Sequence, residues 1–197
     1  MSAADTARNN YSAVRAEIVQ RMQLRDYVLL VFLGFTGAIF SVAFGSSNRI
    51  AVLLALPYLS LGAAILVSQH NMMAAILGEF LSRELQTALA EEKAPHWDNS
   101  STFHAFAKTA ADFRFIGHIL IIFVPCIVAL GVNWRAAFYA SFPDNPMWWF
   151  GALCLLMAGF VIWYSHNKRM QLYINRPWQQ QSGGAADNGV SAISANR

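Results

Sequence analysis

The chain is predicted to be all-α: an integral membrane four-helix bundle carrying a cytoplasmic helical hairpin and an N-terminal helix. Three observations lead there. Charged residues make up only 13% of the 197 residues and hydrophobic ones 56%, against about 25% charged in an ordinary soluble domain. The deficit is concentrated in four uncharged windows: about 22 residues after Asp26, about 29 after Arg49, about 20 after Arg114 and about 23 after Asp144. Roughly 20 apolar residues at about 1.5 Å each cross a bilayer core, so each window is long enough to span. Finally, twelve of the fourteen Lys and Arg fall in residues 1–26, 70–114 and 168–197, which four crossings place on one side. The two opposite turns hold only Arg49 and Arg135. Basic residues collect on the cytoplasmic side of a membrane protein, so both termini are expected in the cytoplasm. The sequence pI near 9.1 then reports orientation in the lipid bilayer, and no nucleic-acid partner is expected.

The elements follow in order. Residues 1–26 read as a cytoplasmic helix, with Tyr11, Val14, Ile18 and Met22 at helical spacing and Arg15, Glu17, Arg21 and Arg25 on the other faces. Glu17 and Arg21 form an i,i+4 pair in the favourable order. No breaker separates this helix from the first transmembrane hairpin, residues 27–69. The hydrophilic lead and the length of the first span argue against a signal peptide. Gly34, Gly37 and Ala38 in span one, and Ser60 and Ala64 in span two, are small enough to let helix backbones approach closely in lipid. The turn "GSSNR" between the spans is short enough to force an antiparallel pair.

Residues 70–114 are expected to form a helical hairpin projecting from the membrane. The helical period continues past "SQHN", where Met73, Ile76, Leu77, Phe80, Leu81, Leu85 and Leu89 make a wide apolar stripe. "EEKAPHWDNSST" then supplies a turn around Pro95, and a second helix leads into span three. The stripe needs a covering surface: the N-terminal helix is the nearest candidate and a second subunit the next. Residues 115–167 form the second transmembrane hairpin. Pro57 and Pro125 are expected to bend spans two and three. The aromatic turn "NWRAAFYASFPDNPMWW" suits the opposite membrane interface, with Trp134, Tyr139, Trp148 and Trp149 at headgroup level. Residues 168–178 continue as a short basic helix that Pro177 ends, and residues 179–197 have too few large apolar groups to fold.

Motifs that carry chemistry are missing. No phosphate loop, dinucleotide fingerprint, HExxH, nucleophile elbow or CxxC is present, so no catalytic residue and no cofactor is assigned. Cys126 and Cys154 lie in spans and read as small packing residues. No Asp, Glu, Lys or Arg sits near the centre of a span, which weighs against an ion-coupled pump. His70, His118 and His166 fall near one membrane face on three different spans, and are the candidates for a metal- or pH-sensing cluster. None has a second ligand at i+3 or i+4, and an interfacial role is the simpler reading. "QHN" and "SHN" recur where spans two and four end; the flanking residues do not align, and a chance match explains this better than an internal repeat does. Glu79 and Glu84 have Arg83, Arg21 and Arg25 as possible ion-pair partners.

Two segments together resemble a group of small bacterial four-span integral membrane proteins without assigned function. "YSAVRAEIVQRMQLRDYVLL", residues 11–30, resembles that group's Tyr-x-x-x-Arg-x-Glu-Ile-x-x-Arg approach to span one. "QHNMMAAILGEFLSREL", residues 69–85, resembles its exit from span two. The resemblance covers about the first half of the chain and implies four spans and a bacterial inner membrane, with no catalytic residue to carry over.

The function expected from the sequence is non-enzymatic: self-association, or contact with a membrane or cytosolic protein, through the cytoplasmic helices. The interaction residues are Met73, Leu77, Phe80, Leu81 and Leu85. The alternatives are an oligomeric ion channel or membrane-permeabilising effector, with Thr36, Ser60, Ser68 and Gln69 facing a lumen, and a metal or pH sensor built on the three histidines.

Overall fold

The computed structural model describes residues 3–45, 47–85, 101–139 and 143–174, and every regular element among them is helical. In chain order these are α1 (Ala3–Phe44), a 3-10 segment (Ser47–Ala55), α2 (Leu56–Phe80), a π-helical turn (Leu81–Leu85), α3 (Ser101–Val132), α4 (Ala136–Tyr139) and α5 (Asp144–Ile174). Four stretches are long and apolar enough to cross a membrane: Asp5–Phe44, Arg49–Leu85, Thr109–Val132 and Asp144–Leu172. Each contains most or all of one of the four uncharged windows. The predicted turn around Pro95, the stop at Pro177 and the tail 179–197 lie outside the described residues.

α1 is one unbroken rod of 42 residues. At about 1.5 Å per residue it is about 63 Å long, twice a hydrocarbon core of about 30 Å. The N-terminal helix and span one are therefore a single element, as the lack of a breaker predicts. Span two departs from expectation. It opens with nine residues of 3-10 helix, and Pro57 sits in the first turn of α2. Proline is at home in a first helical turn, and Pro57 stands where the winding changes from 3-10 to α. Pro125 lies inside α3, which continues to Val132. α2 then runs through Gln69, His70 and Asn71 without interruption.

α2 is the central helix. Its most extensive contact is with α5 and its next with α1, while α3 packs on both α2 and α5. α2 and α5 run parallel: Tyr58 Oη donates to the Met147 carbonyl at 2.9 Å near their beginnings, and Ser165 Oγ to the Ser68 carbonyl at 3.3 Å near their ends. Side chains of all four long helices meet in one apolar cluster, Leu29 and Phe32 from α1, Ala64 and Val67 from α2, Ile122 from α3, and Ala158 and Ile162 from α5. A second cluster, around Leu53, Leu54, Leu56, Cys126 and Leu155, fills the other end. Outside these clusters the helices expose large apolar side chains along their length, such as Leu30, Phe35, Leu66, Leu120, Leu156 and Phe160. That surface suits lipid tails rather than water.

The small residues sort by helix. Ser60 and Ala64 are fully buried in the α2 contacts, as close approach in lipid requires. Gly34 and Gly37 face open space, so span one does not use its glycines for packing within the chain. Glycines of α5 do pack: a Cβ at Gly159 would lie 2.9 Å from Phe123 Cζ, and one at Gly151 3.4 Å from the Pro57 ring. Gly45 ends α1 with its N–H donating to the Ser41 carbonyl at 3.0 Å, and a Cβ there would come within 2.9 Å of that same oxygen.

Candidate functional site

The ends of the four long helices differ in chemistry. At the end holding Arg49 and Arg135, aromatic side chains close the turn between α3 and α5. Trp148 Nε1 donates to the Leu130 carbonyl at 2.9 Å and Trp149 Nε1 to the Ala137 carbonyl at 3.2 Å. Trp134 meets Tyr139, and Phe138 meets Trp149, edge to face at centroid distances of 6.2 and 6.1 Å. Trp134, Phe138 and Tyr139 remain exposed, the placement expected of an interfacial aromatic belt.

The other end, where α1 begins and α5 finishes, holds a polar chamber between α2, α3 and α5. α2 contributes Ser68 and Asn71, α3 contributes Arg114 and His118, and α5 contributes Ser165, His166 and Arg169; Ala111, Phe115 and Ile162 complete the wall. The parallel α2–α5 pairing builds it, because both helices turn from apolar to polar at this level. Ser68 Oγ donates to the Val161 carbonyl at 3.4 Å, and the reverse bond from Ser165 Oγ ties the two serines into one crosslink. The "SQHN" and "SHN" exits thus lie side by side, whether or not they share an origin.

Arg25 of α1 meets the chamber's Asn71 without lining the chamber itself. It is 8% exposed, donates to Asn71 Oδ1 at 3.3 Å, and is held by Asp26 Oδ1 at 2.6 and 2.8 Å. On the far side His166 packs at a tilt on Phe115, 4.4 Å between ring centroids, and its Nε2 lies 3.5 Å from Asp112 Oδ1. Among the described residues the positive charges around the chamber come from α1, α3 and α5, and neither Asp26 nor Asp112 lines the chamber.

Of the three candidate histidines, the structure brings His118 and His166 into this chamber and leaves His70 out. The reason is helical geometry. At about 100° per residue, His70 points about 200° away from Ser68, toward the other side of α2. Its Nδ1 is buried without a hydrogen-bond partner. Among the described residues no group of three His, Cys, Asp or Glu side chains could hold a metal ion. The polar groups suggested for a channel lumen also point inward: Thr36, Ser60 and Ser68 are buried within the chain, and Gln69 alone is exposed.

Along the expected interaction stripe, Leu81 and Leu85 are buried and α1 packs on the turn that carries them. Met73, Leu77 and Phe80 are half-buried, while Ile76 is 48% exposed. Glu79 pairs with Arg83, and Arg21 Nε lies 2.6 Å from Glu17 Oε1, both i,i+4 ion pairs. Sequence reasoning missed Arg114, Ser165 and Arg169, which look like ordinary flanking residues until three helices bring them together. No family model, no curated protein and no solved structure matches the chain, so its function is argued from its own residues.

Proposed function

We propose that this is a non-enzymatic protein of the bacterial inner membrane, built as a four-span bundle with both termini in the cytoplasm. It acts by self-association, or by holding a membrane or cytosolic protein, through the helical extensions of α1 and α2. The observation that carries the reading lies beyond the Arg25–Asn71 contact, where the helices leave the apolar zone. Val19 is 51% exposed there and Ile76 48%, with Met22 also exposed and Met73, Leu77 and Phe80 only half covered. Apolar groups exposed in lipid need no explanation, but in water they mark a contact surface. α1 packs on the turn that buries Leu81 and Leu85, which joins the two extensions into one platform. The exposed fringe of that platform is the surface for a second molecule.

The test is cross-linking and native mass spectrometry of the protein in mild detergent, with V19E and I76E variants. A dimer or higher species that both variants dissolve supports self-association. A strict monomer, with no partner recovered by in-cell cross-linking from Val19 or Ile76 positions, sinks the proposal.

A further inference from the structure

The outward face of α5 grades from apolar to polar along its last turns. Phe160, Trp163, Tyr164, Asn167, Lys168 and Gln171 recur at i, i+3, i+4, i+7, i+8 and i+11, so they share one side of the helix. Ile162 and Ser165, on the opposite side, are buried in the bundle. Phe160 is 61% exposed, Trp163 52% and Tyr164 48%. The three rings form one cluster, with Phe160 lying 6.0 Å from Trp163 and 6.2 Å from Tyr164 between centroids. Lys168 is exposed, and its ammonium stands 5.8 Å from the centroid of the Tyr164 ring.

Three donors on this face lack an acceptor among the described residues. Trp148 and Trp149 give their indole N–H groups to helix carbonyls. Trp163 Nε1 and Tyr164 Oη have no such partner among the described residues. Lys168 has no ion pair among them either, and α5 holds no Asp or Glu after Asp144. Its charge meets only the face of a ring, close to the outer limit of about 6 Å for that contact.

We propose that this face binds an anionic phospholipid of the leaflet it meets. Such a lipid supplies what the face lacks, in the same order along the helix. Its acyl chains lie against Phe160, its ester carbonyls accept from Trp163 and Tyr164, and its phosphate meets Lys168. Trp and Tyr join an apolar body to a polar tip, which suits the ester level. A lysine stem follows apolar surface and carries its charge out to the headgroups. A zwitterionic lipid brings the same esters but offsets its phosphate with its own ammonium, so Lys168 sets the preference for net negative charge. The inference rests on α5 crossing the membrane and not on the contact function of the cytoplasmic extensions.

The test uses the full chain in phosphatidylcholine vesicles. Brominated phosphatidylglycerol or brominated phosphatidylcholine is added in steps to quench tryptophan emission, and the signal of Trp163 is the difference between the parent and W163F. Brominated phosphatidylglycerol is expected to quench Trp163 at about a fifth of the mole fraction that brominated phosphatidylcholine needs, the usual effect of one basic side chain near an anionic headgroup. K168Q is expected to bring the two curves together and K168R to keep them apart. R135Q, at the other end of the bundle, is expected to leave them as in the parent. Should K168Q fail to fold, high salt screens the charge in the parent and closes the same gap. Equal quenching of the parent by the two lipids overturns the proposal, as does a preference that survives K168Q. Trp163 emission that neither lipid quenches overturns it too, and places another chain over this face.

Discussion

The two ends of the long helices finish the apolar zone with opposite chemistry. The end near Arg135 is closed by Trp148, Trp149, Phe138 and Tyr139, whose rings pack edge to face and whose indole N–H groups satisfy helix carbonyls. The end near Arg25 is closed by a buried arginine, two histidines and a serine crosslink. Aromatic rings keep both an apolar body and a polar edge, so they need little structure behind them. A buried guanidinium must be given oxygen acceptors, so its end has to be built by several helices at once. The first end is a surface; the second is a site.

That contrast can be broken most decisively by orientation. A cysteine at position 135, in a chain with Cys126 and Cys154 replaced by alanine, is expected to react with a membrane-impermeant thiol reagent only from outside the cell. A cysteine at position 8 is expected to react only after the membrane is opened. The reverse pattern would assign the aromatic end to the cytoplasm and undo the proposed topology. Next in size is Arg25→Ala, expected to cost about 2 kcal/mol by denaturation in detergent because its charge-assisted bonds are lost. Arg135→Ala, at an exposed position over Trp134, is expected within about 0.5 kcal/mol of the parent. Equal losses at the two arginines would erase the distinction between site and surface.

Smaller effects sharpen it. Trp148→Phe removes the N–H donated to the Leu130 carbonyl while keeping most of the ring, and about 1 kcal/mol is expected. Ser165→Ala is expected to cost about 0.6 kcal/mol, the usual size of an interhelical hydrogen bond in a membrane. Combined with Ser68→Ala it should cost less than the sum of the two, because both serines belong to one crosslink. Strict additivity in that double-mutant cycle would show that the crosslink does not act as a unit.

Much of the fold is legible along the chain. Uncharged windows bounded by Asp26, Arg49, Arg114, Asp144 and Lys168 locate the four long apolar helices, because charge at the centre of a span is costly whatever it packs against. The continuous helix through Gln69, His70 and Asn71 is legible for a similar reason: nothing local interrupts the period. The Glu17–Arg21 pair is local too. The candidate site is much less legible. Asn71, His118 and His166 carry a signal as polar residues at the rims of apolar runs, while Arg114 and Arg169 carry none beyond their charge. The same limit affects the small residues. Gly34 and Gly159 look alike in a span, yet only Gly159 has a ring pressed against it.

What the sequence by itself determined is the set of segments: four long apolar helices, polar rims, an aromatic turn and a strong bias of basic residues to one side. Each follows from the free energy of a residue in lipid or water, a property of that residue and its near neighbours. What only the tertiary structure decided is which faces meet. The parallel seating of α2 on α5 puts Ser68 against Ser165, draws His118 and His166 to one chamber and turns His70 away from it. Those outcomes depend on helix rotation and on which helices are neighbours, and they are fixed by packing between side chains nearly a hundred residues apart in the chain.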